Sequence, residues 1–361
     1  MKKRLLSCLL AAMILLGCTS CAAETTAQDA TEKRSMYFFG TFDTMITIIG
    51  YAPSQEVFDA VTARAQERFT QLHQIFDQYN EYEGVNNLYV VNRDAAKAPV
   101  TVPPELMDLL VYARQKQTEL HGTVNIAMGS VLSLWHDARE NAESDPEHAA
   151  LPDMDALKAA AEHISMDDMT LDEANRTVFL TDPLLKLDLG AVAKGYATEL
   201  VAREMLASEM PNFIINAGGN VRVGQPPLDG RKTWGISIQD PNASATATDQ
   251  SMETLYLNNL SVVTSGDYQR YYFVDGVRMH HIISPKTLMP ATENRSVTIV
   301  TESSELADIL STAVFMMPYE EGRAFVDSLP GVEAMWMTEN GDIYLTDALL
   351  AMSKTGGASA R

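Results

Sequence analysis

The sequence predicts an α+β fold on three observations: strand-like runs that follow one another directly, helices spaced irregularly among them, and two strong hairpin signals. The runs are ITIIGY, NFIINAG, WGISIQD, TLYLNNLSVVTSG, RYYFVDG, MHHIIS and SVTIVTE. Asp275-Gly276 and Asn340-Gly341 are the hairpin turns, because both central positions of such a turn need positive φ. A regular Rossmann alternation would place a helix after nearly every strand, and this order does not. Among the helices, Ser54 caps one whose apolar residues Val57, Phe58, Val61, Ala65, Phe69, Leu72 and Phe76 recur at helical spacing. Pro103-Pro104 open a second that runs to about Leu120, and Leu187 to Ser208 reads as a third. ELADILSTAVFMM is periodic through Leu306, Ile309, Leu310, Ala313 and Val314. Residues 141–153 and 240–250 read as surface loops.

The N-terminal segment sets the compartment. Lys2, Lys3 and Arg4 precede an apolar run from Leu5 to Leu16 that is too short for a stable membrane span, so residues 1–17 are expected to be a secretory signal. Leu15-Leu16-Gly17-Cys18 matches a lipobox, in which acyl chains on Cys18 hold an exported protein on the outer face of the cytoplasmic membrane. Cys21 is the alternative lipidation site. Residues 18–35 are small and polar, as in a tether, residues 36–352 form the globular body, and residues 353–361 are expected to be a loose tail. The body is long enough for one large domain or two lobes sharing a cleft.

All three cysteines, Cys8, Cys18 and Cys21, lie outside that body, which rules out disulfides, thiolate metal sites and cysteine nucleophiles within it. Removing residues 1–17 takes the net charge from −21 to −24, which argues against nucleic acid as a partner. An anionic ligand would need a metal ion or a local cluster of donors to overcome that field.

Several stretches place polar groups where a buried element would not ordinarily want them. In LDLGAVAKGYATELVA, Asp188 ends an apolar run, Gly190 follows, and Lys194 sits on the first helical turn. Such a helix start suits a phosphate, although the same residues also make an ordinary strand-to-helix turn. Asn216 to Asn220 (NAGGN), TSGDYQRYY and HHIISPKTLMPA are three more interruptions of the same kind. Asp308 and Thr312 lie four apart on one helix face, and their oxygens suit a hard cation such as magnesium that shares its remaining sites with phosphate.

Taken in order, these blocks resemble the ApbE family of FAD:protein FMN transferases. FFGTFDTMITI matches the family's opening element and GTVNIAMGSVLSLW a flavin-contacting block. LDLGAVAKGYA and INAGGN match the central phosphate-side blocks, TSGDYQRYY with HHIISPKTLMPA the most diagnostic one, and ADILSTAVF the metal block. The resemblance runs from about residue 38 to 350. It implies two lobes with mixed or antiparallel sheets and packed helices around a central FAD cleft.

By position, it implies that Phe42, Tyr79, Thr123, Val124, Asn125, Asp188, Lys194 and Ile283 bind FAD. It implies Mg²⁺ on Ala191, Asp308, Ser311 and Thr312, and His281 as the base beside an acceptor hydroxyl. Ser284 stands where the family usually has aspartate, and Asn125 and Ala127 where Asp and Thr are common. The implied reaction moves FMN from FAD to a threonine or serine of an acceptor flavoprotein, such as a redox-complex subunit or an extracellular flavoprotein, and releases AMP. A magnesium-dependent FAD pyrophosphatase and a flavin- or solute-binding lipoprotein without catalysis are the alternatives.

Overall fold

The computed structural model describes residues 31–243 and 250–361. Its frame is an eight-stranded sheet, antiparallel at every pairing. In spatial order the strands are β1 (Glu32–Thr41), β2 (Thr44–Ala52), β6 (Phe213–Ala217), β7 (Asn220–Val223), β10 (Ser261–Gly266), β13 (Asn294–Thr301), β14 (Glu333–Thr338) and β15 (Ile343–Leu345). Both faces of this sheet are covered, which explains why β13 is buried along nearly its whole length. Ile46, Ile48, Ile215, Val297, Ile299 and Trp336 face one core, shared with α1 (Gln55–Phe76), α6 (Ala193–Leu206) and α7 (Ser304–Phe315). Tyr51, Val262, Val300 and Met335 face the other, against a hairpin of β8 (Trp234–Gln239) and β9 (Ser251–Leu257) that contributes Trp234, Ile236 and Leu255. Each fully buried large side chain here contributes about 1.5–3 kcal/mol.

Local signals set the helix ends. The Ser54 hydroxyl accepts from Val57 N at 3.2 Å, and the Ser303 hydroxyl from Leu306 N at 3.3 Å. Asn87 caps α2 (Leu88–Asp94) by accepting from Val90 N, and Pro104 opens α3 (Pro104–Glu119). A small sheet of β3 (Val100–Thr101), β5 (Thr177–Leu180) and β4 (Met169–Asp172) lies in the stretch between α2 and α6. The second lobe has its own core, in which Met128, Val131, Trp135 and Leu157 from around α4 (Gly129–Ser144) and α5 (Met154–Ala161) meet Tyr272 and Ile283. Tyr272 belongs to the hairpin of β11 (Tyr271–Val274) and β12 (Val277–His280), which turns at Asp275 (φ 50) and Gly276 (φ 78) as expected. The chain is completed by α8 (Tyr319–Asp327) and α9 (Asp347–Ala351).

Several expectations need correction. The run ending in Asp188 is not a strand: apart from one bridge between Met128 and Lys186 it is extended backbone, and the helix behind it starts at Ala193 rather than Leu187. TLYLNNLSVVTSG is two strands, β9 and β10, in different sheets. Residues 32–35 belong to β1, paired with β2, and not to a tether. Nor is the C-terminal segment loose. Ser353 bridges Leu255, Lys354 N donates to Thr254 O, and Ala360 O accepts from Lys232 N, which fastens the tail to the β8–β9 hairpin. The loop expected at 141–153 contains the end of α4 and a short 3₁₀ turn at Pro146–His148. Residues 1–30, with the signal segment and Cys18, and residues 244–249 lie outside the described residues.

The contact that positions the functional face is the crossing of α6 on α7. A Cβ on Gly195 would lie 2.3 Å from Asp308 Cβ and 2.4 Å from Ser304 O, so only glycine permits this approach. Gly195→Ala should therefore lose about 1–3 kcal/mol of stability through overpacking, although alanine is the better helix former. Denaturant unfolding that shows an equal or higher midpoint would contradict this packing.

Candidate active site

A cleft of about 800 Å³ opens where one end of the large sheet meets the second lobe. It is lined by the β1–β2 and β6–β7 turns, the end of β10, the start of α6, one face of α7, the segment after β12, and residues 123–139. The turns show why these sequences were needed. Phe42 (φ 54) and Asp43 (φ 50) both adopt left-handed backbone, which costs a non-glycine residue free energy and projects them over the cleft. Phe42 N donates to His73 Nδ1 at 3.3 Å, and the two rings meet edge to face at 5.5 Å. In NAGGN, Gly218 (φ 60) and Gly219 (φ 95) form the two-residue β6–β7 turn, and a Cβ on Gly218 would lie 2.1 Å from the Thr44 hydroxyl.

At the floor, Asp308 is buried in α7 and accepts from Gly195 N at 2.7 Å, in the first turn of α6. Burial pushes its carboxyl above the usual range, opposed by the Lys194 charge and by the Gly195 N–H. Burial likewise pushes Lys194 below its usual value, opposed by Asp308. Each charge thus offsets part of the desolvation cost of the other. Asn220 lies beside Asp308, yet its buried amide nitrogen has no hydrogen bond of ordinary geometry. Thr312 lines the cleft one turn along α7, with its hydroxyl 3.3 Å from that of Ser265. Ser311 does not reach the cleft. It is fully buried, donates to Asp308 O at 2.8 Å and pairs with Ser265 at 2.8 Å, one layer behind Thr312.

No group of three or more His, Cys, Asp or Glu side chains suited to a metal occurs among the described residues. One carboxylate, the Thr312 hydroxyl and the Ala191 carbonyl are hard oxygen donors on the same cleft. That set fits Mg²⁺ only as a partial shell, with waters and ligand phosphates supplying the rest.

On the opposite wall, Asp188 accepts from Gly190 N at 2.7 Å and Gln78 Nε2 at 2.6 Å. Gly190 thus closes a tight turn around the Asp188 carboxylate. Asp77 holds the adjoining loop by accepting from Tyr79 N, both nitrogens of Asn80 and the Tyr82 hydroxyl, and these bonds bring its carboxyl below the usual range against the cost of burial. Tyr79 stacks on His136, with centroids 5.1 Å apart. Thr123, Val124 and Asn125 also line the cleft. Asn125 Nδ2 donates to Ile164 O at 2.8 Å while its Oδ1 accepts from Ala127 N at 2.9 Å. An aspartate could not make the first bond.

The two histidines part at the end of β12. His280 is buried, with Nε2 2.8 Å from Ala291 O and Nδ1 accepting from Ile282 N, so both nitrogens are used inside the protein. His281 opens to the cleft without a hydrogen bond to the described residues. The crowding walls, then the charges of Arg270, His280, Lys194 and Arg139, lower its pKa to about 3 and keep the ring neutral. Ile283 follows on the same wall, bridged to Pro290. Ser284, in the aspartate's place, closes the next loop through Lys286 N to its Oγ and Leu288 N to its carbonyl. Sequence reasoning missed Gln78, His136, Arg139, Asn220 and Arg270, all lining the cleft. Arg270 and Asn220 lay inside quoted blocks, whereas the others carried no local signal.

These geometries predict opposite outcomes for neighbouring substitutions. His280→Ala should cost about 1–3 kcal/mol of stability by stranding Ala291 O and Ile282 N, whereas His281→Ala should stay within about 0.5 kcal/mol of the parent. Denaturant melts of both variants check this, and the reverse order would contradict the assignment of which ring is inside.

Residues 42–336 match the model of the ApbE family. The FAD:protein FMN transferase of Treponema pallidum is 31% identical over 337 residues, which cover 90% of this chain and 88% of that protein. The FAD:protein FMN transferase of Salmonella typhimurium is 26% identical over 348 residues, 94% of this chain and 93% of the relative. The crystal structure of the ApbE protein of Thermotoga maritima superposes with a TM-score of 0.77 at 28% identity, covering 89% of this chain and 99% of that one. With its two-lobed α+β architecture and a family match across most of its length, the chain belongs to the ApbE family.

Proposed function

We propose that this protein transfers FMN from FAD to a threonine or serine hydroxyl of an acceptor protein and releases AMP. The observation that carries the reading is the juxtaposition, in one cleft, of Asp308 on α7, Lys194 at the start of α6 and an unpartnered His281. The named activity of the Treponema and Salmonella relatives supports it.

In this reading the acceptor oxygen attacks the FMN-side phosphorus of FAD. A new P–O bond forms, the bond to the bridging oxygen breaks, and AMP leaves with the electron pair. A ring nitrogen of His281 takes the proton of the attacking hydroxyl, for which a neutral imidazole is required. Lys194, on the first turn of α6, opposes charge that builds on the phosphoryl oxygens. Asp308, Thr312 and the Ala191 carbonyl would hold Mg²⁺, which supplies further charge neutralisation when bound. Ser311 braces Thr312 from behind through Ser265. Phe42 and Tyr79 flank the flavin, Ile283 and residues 123–125 contact it, and Asp188 binds FAD from the turn closed by Gly190.

Incubating the protein with FAD, Mg²⁺ and an acceptor tests the reading. AMP should form together with covalently flavinylated acceptor. AMP formed without acceptor labelling would assign a pyrophosphatase, and no AMP at all would assign a binding protein. His281→Ala should bind FAD as the parent does and lose transfer by about 10²–10⁴-fold. Because the folded-state pKa of His281 lies below the ordinary value of about 6.5, the base stays competent as pH falls through that value. The acidic limb of kcat/KM at saturating Mg²⁺ should therefore lie below 6.5, and a midpoint at or above it would remove His281 from the role.

The same reading places the protein on the outer face of the cytoplasmic membrane, with residues 1–17 removed and Cys18 lipidated. Cys18→Ala should release the protein from the membrane fraction. Unchanged partitioning of a correctly processed variant would contradict the anchor.

A further inference from the structure

We propose that Arg270 grips the pyrophosphate of the bound dinucleotide, between Lys194 and His281. The inference deepens the FAD reading above and rests on it.

Four observations carry it. First, Arg270 lines the cleft and makes no hydrogen bond or ion pair with the described residues. Arg139, the other arginine on the cleft, is already engaged by Glu143 and His136. In a chain of net charge −21, an exposed guanidinium on the cleft that no carboxylate engages is free to meet an anion.

Second, the loop that carries it is anchored. Asp267 accepts from Arg278 at 3.0 Å and from Arg295 at 2.6 Å, and its backbone N donates to Arg295 O. Gly266 lets the Tyr268 ring pack against the strand end, where a Cβ would lie 2.3 Å from that ring. Arg270 therefore projects from a fixed base three residues beyond Asp267.

Third, Lys194 and His281, the two groups that flank the reacting phosphorus in the proposed reaction, line the same cleft as Arg270, and its charge acts on both. Fourth, Asn220 on the same cleft lies beside Asp308, and its amide nitrogen makes no hydrogen bond of ordinary geometry. A planar guanidinium fork matches the adjacent oxygens of a pyrophosphate better than a point charge does.

The test compares FAD with riboflavin, which shares the isoalloxazine ring but carries no phosphate. Binding is followed by flavin fluorescence at fixed Mg²⁺ with the full protein and its Arg270→Ala and Arg270→Lys variants. Arg270→Ala should weaken FAD by about 10- to 100-fold, as expected for a charge-assisted hydrogen bond, and leave riboflavin unchanged. Arg270→Lys should recover part of that loss. If Arg270→Ala leaves FAD affinity intact, or weakens FAD and riboflavin equally, the assignment is overturned while the FAD reading stands. If the parent protein itself does not prefer FAD to riboflavin, the FAD reading falls and this inference with it.

Discussion

The rest of the structure depends on one hydrogen bond, from Gly195 N on α6 to the buried Asp308 carboxylate on α7. Only a glycine allows the helices to approach this closely, and only that approach sets a carboxylate beneath a lysine on the first turn of a helix. Removing Asp308 from water is costly, and three features offset the cost: the Lys194 charge, the Asn220 amide and the Gly195 N–H in the first turn of α6. The same crossing orders Ser311 and Thr312, because both continue the helix turn that Asp308 begins. Chemistry and packing are therefore joined at one point. The cavity, the charge pair and the helix geometry cannot be changed independently.

Around that point the protein uses turns as precision parts. The β1–β2 turn holds Phe42 and Asp43 in left-handed backbone, the β6–β7 turn needs Gly218 to clear Thr44, and Asp188 is capped by Gly190 N. Apart from Thr44, the first residue of β2, none of these residues lies within a regular element. Each is fixed by a neighbouring strand or helix, which gives loop residues the rigidity a reactive site requires. The second lobe supplies a wall rather than a floor: Tyr79 stacks on His136 at the mouth, and Thr123 to Asn125 run along the side.

Much of this was legible in the sequence where the signal is local. Ser54 and Pro104 mark helix starts, Asp275-Gly276 marks a hairpin, and the polar interruptions between residues 188 and 312 do converge on one cleft. Elements that depend on distant partners were not legible. The start of β1, with Glu32, Lys33 and Arg34, looks like tether because an edge strand tolerates charge, and only its pairing with β2 makes it a strand. The glycine-rich tail resembles a loose end until its backbone meets Thr254 and Lys232. The apolar run before Asp188 resembles a strand, but it is enclosed by packing rather than paired in a sheet. Ser311 shows the same limit at the site: the family resemblance implied a metal ligand beside Thr312, and the helix turns its hydroxyl inward.

The central claim is that Asp308 with its helix neighbours forms half of a metal site that a dinucleotide must complete. Calorimetric titration of Mg²⁺ into the protein, with and without FAD, measures it most directly. The account predicts weak Mg²⁺ binding alone, much tighter binding in the presence of FAD, and loss of this coupling in Asp308→Asn with the fold intact. Equal Mg²⁺ affinity with and without FAD, or coupling that survives the substitution, would contradict it.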